Sequence, residues 1–423
     1  MVMIIFNVIT NILWFFTTFF VLYTGIYFTV KLKLPQFNFL EIIKSFSKGS
    51  KETFKILNLT LAGKIGVGSI SGIALCIHIG GISSLFWLWI SAFILASLAY
   101  YETKIGIRYR KKNNNEYIGG PSYYIEKCLN NKKLAKIYSV LIIITYVLAF
   151  ISIQTNTIVV SIKEIINIEK IFIAFFLILI TYLSIKKGIN TISKVTMYLT
   201  PIMGIIYIIV GMLVIKNNWN TTIEIISKII REAFSFKSFK ITMFIPFIIG
   251  IERGIFSNEA GIGTTAMVTS LSKNEDIEKQ ANIQIIGTYF ISLIICTITA
   301  LIILTSNYHN INFIDINGIE IVFYAFFEHF GYYGIIILIL IIFLFTFSTI
   351  ITSYYYGEVN YIYLFKRKSE ILKINVLLVI LYSTYMSPTP LWNIVDIFVA
   401  LISIINCYSM LKISKKENNN DWE

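Results

Sequence analysis

Four glycines interrupt a strongly apolar segment early in the chain, and this pattern suits the binding of a small charged solute. Gly63, Gly66, Gly68 and Gly72 fall within ten residues. A helix broken at such glycines frees N–H groups, which attract a carboxylate, and C=O groups, which coordinate a cation. The alternative is close packing of two helices through small residues. A dinucleotide-binding loop would need a preceding strand in a βαβ unit, which this apolar segment does not offer.

A second glycine-containing segment, Ile249–Gly254, opens the other half of the chain. Glycine-broken helices in corresponding positions of two oppositely oriented halves are the best sequence indicator of a transporter binding site. The two segments therefore predict a site in which backbone groups of two interrupted helices hold a solute and its ion.

Three polar residues lie well inside apolar segments, where an uncompensated polar group is costly. Lys64 either extends its ammonium to the cytoplasmic face or places it in a cation position beside the break, in place of a second Na+. Asp396 either belongs to an outer gate or makes a structural hydrogen bond near the interface. Gln154 either contacts the solute or holds two helices together.

A charged group follows the second glycine segment. Glu252, Arg253 and Glu259 are expected near the cytoplasmic end of their span. They form either a solvated ion-pair cluster that holds a loop or an inner gate. Asp396 is expected near the outer end of the last span, which places it far from Lys64.

The composition places these residues in a membrane. Of the 423 residues, 56% are hydrophobic and 14% are charged, against about 25% charged in soluble proteins. A spanning helix needs about 20 apolar residues, and continuous runs predict helices, because barrel strands alternate in hydropathy. Eleven candidate spans are found, at 11–30, 57–78, 81–100, 137–161, 171–185, 195–215, 241–256, 283–305, 332–356, 371–386 and 392–411.

Charge placement predicts the orientation. Residues 1–30 contain no charged residue, which favours a retained span over a cleaved signal. With the N-terminus outside, the cytoplasmic loops hold 28 of the 36 lysines and arginines. This asymmetry predicts an outer N-terminus and a cytoplasmic C-terminus, so the net charge of +13 reflects topology rather than nucleic-acid binding.

The spans predict an internal organisation. Residues 1–56 form an extra helix and a cytoplasmic linker, and 57–215 form a first half of five helices. An external loop at 216–240 precedes a second, inverted half at 241–411, and 412–423 form a cytoplasmic tail.

Several motifs resemble one family, the alanine or glycine:cation symporters, which are sodium–amino acid carriers. The resemblance covers nearly the whole chain, and its most specific stretch is Arg253–Gly261. The motifs are Leu61–Ala74, Gly119–Tyr124, Gln154–Asn156, Gly188–Lys194, Arg253–Gly261, Phe347–Ile350 and Tyr354–Glu358. The resemblance implies a leucine-transporter-like fold, with a 5+5 inverted repeat and one extra N-terminal helix, in a bacterial inner membrane.

The resemblance also implies roles for individual residues. The first core helix would be broken at Gly66–Ser69, the N–H groups of Val67 and Gly68 would face a substrate carboxylate, and Gln154 would reach the substrate. A Na+ site would join the carbonyls of Ala62 and Ile65 to the hydroxyls of Ser348 and Thr349. Lys64, Arg253, Glu259 and Asp396 are the candidates for coupling or gating.

Three positions depart from the family pattern. Ser69 stands where the family has Asn, and Thr352 and Ser353 stand where it has Gly-Trp. Loss of that tryptophan predicts a larger, more polar pocket. The second broken helix lacks an upstream glycine pair, so its break must use Gly250 or be remodelled.

The resulting prediction is Na+-coupled uptake of a small neutral amino acid, of alanine or glycine type, by alternating access. We expect a monomer that contacts the lipid bilayer, the amino acid and Na+, without another cofactor. The alternatives are a substrate sensor that has altered transport and a proton-coupled carrier of a larger amino acid. The sequence contains no nucleophile–base pair, metal motif or nucleotide loop, so an enzyme is not expected.

Overall fold

The apolar blocks form helices joined by short connections. The computed structural model describes residues 2–113, 116–234, 244–273, 276–308, 318–368 and 370–417. These residues are almost entirely helical, apart from one antiparallel hairpin in which Lys112 pairs with Tyr117. Helices are expected here, because a backbone in hydrocarbon has to satisfy its polar groups within the segment.

The helices and strands are numbered in chain order. They are α1 Val2–Lys31, α2 Phe39–Ser47, α3 Lys51–Lys64, α4 Val67–Gly80, α5 Ser84–Arg108, β1 Lys111–Asn113, β2 Glu116–Ile118, α6 Pro121–Leu129, α7 Lys132–Ile142, α8 Ile151–Lys163, α9 Lys170–Ile185, α10 Ile189–Asn217, α11 Trp219–Ala233, α12 Phe244–Asn258, α13 Thr264–Thr269, α14 Ile277–Tyr289, α15 Cys296–Leu304, α16 Ile319–Phe365, α17 Glu370–Ser383 and α18 Pro388–Glu417. The π-helical segments Ile143–Phe150 and Phe290–Ile295 join α7 to α8 and α14 to α15. A short 3-10 turn, Pro35–Phe37, precedes α2.

Seven helices in the described residues are long and apolar enough to cross a membrane, and α3 with α4 forms an eighth candidate that is bent by 44°. The short predicted blocks correspond to α9, α12 and α17, of 16, 15 and 14 residues. Each of the eleven predicted blocks thus contains helix, while the number of complete crossings stays a prediction.

The first core helix is interrupted at Ile65 and Gly66, between α3 and α4. Both residues have extended backbone angles, with φ −142° and ψ −154° at Gly66. The break is shorter than the predicted Gly66–Ser69, because Gly68 and Ser69 already belong to α4.

The second break lies between α12 and α13. Of the two predicted alternatives, a break at Gly250 or a remodelled break, the structure shows the second. Glu259, Gly261 and Gly263 have positive φ values of 50°, 88° and 105°, in the left-handed region that a helix cannot continue through. Gly250 lies inside α12, which packs so closely against α5 that a Cβ would overlap the carbonyl oxygen of Ser84. The glycine at 250 therefore permits helix packing.

The packing brings the two breaks together. α12 packs against α4, and α13 packs against α3. Because both halves of one broken helix contact the matching halves of the other, the two breaks lie side by side at one level. α16 and α10 pack against α3 and complete the walls around the first break.

Two segments predicted as loops contain helix. Residues 216–240 include α11, whose Ile225 and Ile229 are buried. The helix α5 continues to Arg108, so Glu102 is fully buried in it rather than exposed in a loop. Apolar residues on either side of Glu102 allow the helix to carry this carboxylate into the protein interior.

Candidate functional site

Four oxygen atoms from two distant segments converge at the first break. The Thr349 hydroxyl lies 3.2 Å from the Ala62 carbonyl oxygen and 3.1 Å from that of Ile65. The Ser348 hydroxyl lies 3.1 Å from the same Ala62 oxygen. The end of α3 leaves these carbonyls without helical partners. Each hydroxyl can donate its proton either to them or to the Phe345 carbonyl of its own helix, which lies 2.8 Å from Ser348 and 3.0 Å from Thr349. Together the four are hard oxygen ligands of the kind that suits a hard cation.

Gln154 caps the start of α4 across the same break. Its Oε1 accepts the Val67 N–H at 3.1 Å, and the side chain is buried. Gly66 makes this approach possible, because a Cβ there would lie 2.6 Å from Thr349 Oγ1 and 3.0 Å from Gln154 Nε2. The Val67 N–H predicted to face a carboxylate is therefore paired with an amide, which a carboxylate would have to displace.

Two further predicted pocket residues are fully buried. The Ser69 hydroxyl donates to the Gly66 carbonyl at 2.9 Å, inside the first turn of α4. Ser353 lies about one turn after Thr349 on α16, and its hydroxyl has no hydrogen-bond partner among the described residues. Buried hydroxyls without partners are uncommon, so Ser353 keeps a polar group available close to the site.

Aromatic rings cover the start of α4. Phe256 stacks on Phe150 with ring centroids 5.3 Å apart and lies 5.5 Å from Trp392. A Cβ at Gly68 would come within 2.7 Å of the Phe256 ring. These three rings, the aromatic layer, therefore close the α4 side of the break.

Arg253 extends this closure with a buried ion-pair cluster. Its guanidinium lies 2.8 Å from Glu252 and 3.4 Å from Asp396, with all three side chains 7% exposed. The prediction of a solvated cluster that includes Glu259 is wrong, because Arg253 is packed over Trp392 and Glu259 belongs to the break. The sequence predicts Arg253 and Asp396 at opposite ends of the membrane, whereas their contact sets them at one depth.

Lys64 lies on the other side of the break from the aromatic layer. It is 3% exposed, so the alternative in which its ammonium reaches the membrane surface is wrong. The charged groups that act on it are Glu259 and Glu102. Glu259 accepts hydrogen bonds from Tyr146 at 3.0 Å and Thr264 at 2.8 Å.

A cavity of about 860 Å³ opens along α3 and α10. It is lined by Lys51 and Lys55 of α3, by Lys194 of α10 and by Lys273 after α13, beside Glu52 and Glu116. The cavity begins near the start of α3, whereas the aromatic layer covers α4. The aromatic layer therefore closes the α4 side of the break, while the basic cavity lies along the first half of α3 and reaches as far as Leu59.

Several residues of the site are not identifiable from the sequence. Phe150, Phe256 and Trp392 resemble ordinary apolar residues of a membrane helix, and no spacing distinguishes them. Glu102 has only a weak signal, because Thr103 and Lys104 follow it before the apolar residues Ile105 and Ile107. A sequence of this kind is typical of the end of a span, where a charge is expected to reach water.

Comparison with known sequences finds relatives that are described as sodium symporters. The profile of the sodium:alanine symporter family matches residues 1–420. The probable sodium/glutamine symporter GlnT of Bacillus subtilis is 31% identical over 403 residues, which cover 92% of this chain and 84% of GlnT. The sodium/alanine symporter AgcS of Methanococcus maripaludis is 29% identical over 408 residues, which cover 92% of this chain and 90% of AgcS.

Comparison with solved structures concerns the fold. MhsT in complex with L-phenylalanine superimposes with a TM-score of 0.62 at 13% identity, and the match covers 89% of this chain and 90% of MhsT. At this identity the likeness shows the fold alone. It confirms the predicted leucine-transporter-like, all-α membrane fold.

Proposed function

Because this chain belongs to the sodium:alanine symporter family, we propose that it carries a small neutral amino acid, of alanine or glycine type, into the cell together with Na+. It is a multi-pass membrane transport protein and not an enzyme. The observation that carries the proposal is the first break, where the Ile65 carbonyl faces the Thr349 hydroxyl and the Val67 N–H faces Gln154.

The proposed coupling follows from the shared backbone. Na+ takes the oxygens of Ala62, Ile65, Ser348 and Thr349, while the amino acid carboxylate takes the N–H groups of Val67 and Gly68. Gln154, Ser69 and Ser353 contribute polar contacts to the amino acid. Each ligand stabilises the same extended residues, Ile65 and Gly66, so the binding of one favours the binding of the other.

Alternating access is proposed to use the closure on the α4 side of the break and the cavity on the α3 side. The aromatic layer with Arg253 and Asp396 forms the outer gate, and the basic cavity along α3 leads to the cytoplasm. This arrangement fits an outer N-terminus and a cytoplasmic C-terminus in the inner membrane of a bacterium. The inverted halves 57–215 and 241–411 then move against each other, within a monomer.

The proposed function is tested by uptake into proteoliposomes. The purified protein is reconstituted and offered a panel of radiolabelled amino acids that includes alanine, glycine, glutamine and phenylalanine. An inward Na+ gradient should drive accumulation of a small neutral member, and replacement of Na+ by choline should remove it. Uptake driven equally by a proton gradient without Na+ would contradict the proposal.

Substitution of Gln154 by leucine should weaken amino acid uptake. The change removes the polar contact that the proposal gives the amino acid at Gln154, and this loss is expected to outweigh the freeing of the Val67 N–H, which Gln154 holds in the unliganded protein. A loss of about 1.5 kcal/mol corresponds to a roughly tenfold rise in KM. The measurement is the concentration dependence of uptake at saturating Na+.

A matched control for Gln154→Leu is Thr157→Val on the same helix. The Thr157 hydroxyl donates only to the Ile153 carbonyl of its own helix, at 2.9 Å. KM should stay unchanged in this control. An unchanged KM in Gln154→Leu as well would remove Gln154 from the site.

A further inference from the structure

A second buried charge cluster lies at the two breaks and has no role in the proposed transport of amino acid and Na+. It consists of Lys64 at the end of α3, Glu102 of α5 and Glu259 at the start of the second break. Their exposed fractions are 3%, 0% and 1%. Burial of three charged residues from three separate elements is costly, so each charge has to be compensated by the others.

Neutral donors hold the two carboxylates in fixed positions. The Glu102 carboxylate accepts a hydrogen bond from the Asn406 amide at 2.7 Å. The same amide donates to the Gly261 carbonyl at 2.9 Å and so ties Glu102 to the second break. Glu259 is held by Tyr146 and Thr264. Both carboxylates are therefore held in fixed positions beside the second break, where they can interact with a cation.

Two atoms of the cluster are left without hydrogen bonds among the described residues. They are the Lys64 Nζ and the Glu102 Oε2, and both are fully enclosed. The N–H groups of Gly261 and Gly263 lie near Glu102, but its Oε2 accepts no well-aligned hydrogen bond. Burial disfavours the Lys64 ammonium, and the charges of Glu259 and Glu102, which act at a longer range than a direct ion pair, partly offset this cost. The two carboxylates thus supply the negative charge that a cation site needs, and the unpaired atoms retain the capacity to bind a ligand.

We propose that Lys64, Glu102 and Glu259 form a monovalent-cation site whose resident ion is the tethered ammonium of Lys64. The inference rests on the proposed function. In that function, exchangeable Na+ occupies only the site formed by Ala62, Ile65, Ser348 and Thr349. A tethered cation offsets one of the two carboxylate charges in every state and cannot leave with the amino acid. Removal of the ammonium should therefore create a site that takes a free monovalent cation.

The test uses the full-length protein purified in detergent and the variant Lys64→Ala. The probe is propylammonium, which contains the three carbons and the ammonium that the substitution removes, with choline as the reference cation. Saturating propylammonium should raise the melting temperature of Lys64→Ala by roughly 5 °C and leave the wild-type protein unchanged. Na+ should also stabilise the variant more than it stabilises the wild type.

Two variants control the measurement. Lys228→Ala removes an exposed ammonium that lies 3.8 Å from Glu232, and it should show no response to propylammonium. Glu102→Gln in the Lys64→Ala background removes one of the two carboxylates and should abolish most of the response. A purely structural role of Lys64 predicts the same melting temperature in propylammonium and in choline.

Transport supplies a second readout. The Na+ dependence of uptake should change from a Hill coefficient of about 1 in the wild type to about 2 in Lys64→Ala. A variant that responds equally to propylammonium and choline, or stays unfolded in every cation, overturns the cation site. Absence of Na+-coupled uptake in the wild type contradicts the proposed function, while the melting measurement still decides the fate of the cation site.

Discussion

Gly66→Ala is expected to abolish Na+-coupled uptake while the protein remains folded. The backbone at this position suits any residue, with φ −142°, so the effect comes from space alone. The new Cβ would lie 2.6 Å from the Thr349 hydroxyl and 3.0 Å from the Gln154 amide. Overpacking of about 3 kcal/mol corresponds to a roughly 100-fold loss of ligand affinity. The strain falls on side chains that can rotate away, which removes the site and preserves the helices.

Gly72→Ala is the matched control on the same broken helix. A Cβ at Gly72 meets no atom closer than 3.9 Å, so the added methyl group makes only ordinary van der Waals contacts and causes no overlap. Both uptake and melting temperature should stay close to wild type in Gly72→Ala. In Gly66→Ala the melting temperature should stay close to wild type, but uptake should be lost. Normal uptake by Gly66→Ala would show that the close approach of Thr349 and Gln154 is not needed.

The second large effect is expected for Thr349→Val, which removes a hydroxyl and preserves side-chain shape. The hydroxyl lies 3.1–3.2 Å from the Ile65 and Ala62 carbonyls, where the proposal places Na+. Loss of one ligand to a charged group costs about 2 kcal/mol. The Na+ concentration for half-maximal uptake should therefore rise roughly 30-fold, with a smaller change in KM for the amino acid.

Thr346→Val provides the control for this measurement. Thr346 lies on the same helix and is equally buried, but its hydroxyl donates to the Ile342 carbonyl of that helix. Its Na+ dependence should match the wild type, and Thr349→Ser, which restores the hydroxyl, should recover most of the affinity. An unchanged Na+ dependence in Thr349→Val would exclude the ion from this position.

The sequence predicts the first break well, because several glycines close together inside an apolar run disfavour a continuous helix. It also predicts, through the family resemblance, that Ser348 and Thr349 meet the carbonyls of Ala62 and Ile65. These residues are separated by more than 280 positions, and nothing in local spacing joins them. The resemblance supplies a long-range contact that hydrophobic periodicity does not contain.

The second break could not be located in this way. It begins at Glu259, a residue type that rarely adopts positive φ, so local propensity does not favour a break there. Gly250 is the better candidate by residue type, but its lack of a side chain serves the contact with Ser84. Which glycine breaks a helix and which permits packing depends on the neighbouring helix, and a single sequence does not specify that neighbour.

The charged residues illustrate the same limit. Arg253 and Glu259 are six positions apart, and this short separation predicts one cluster. The end of α12 separates them, so that Arg253 pairs with Asp396 of α18, while the charge of Glu259 acts on Lys64. The depth of a charge in a membrane protein follows from the helix that carries it. If a break is placed at the wrong residue, the predicted depth of every charged residue after it is wrong as well.

The most direct test of the central claim is the thermodynamic coupling between the two ligands at the first break. Binding of the best-transported amino acid of the panel is measured on purified protein in Na+ and in choline, and Na+ binding is measured with and without that amino acid. Each ligand should tighten the other by the same factor, of about tenfold or more, and Gly66→Ala should eliminate this coupling. Equal amino acid affinity in Na+ and in choline in the wild-type protein would contradict a shared site built on the interrupted helix.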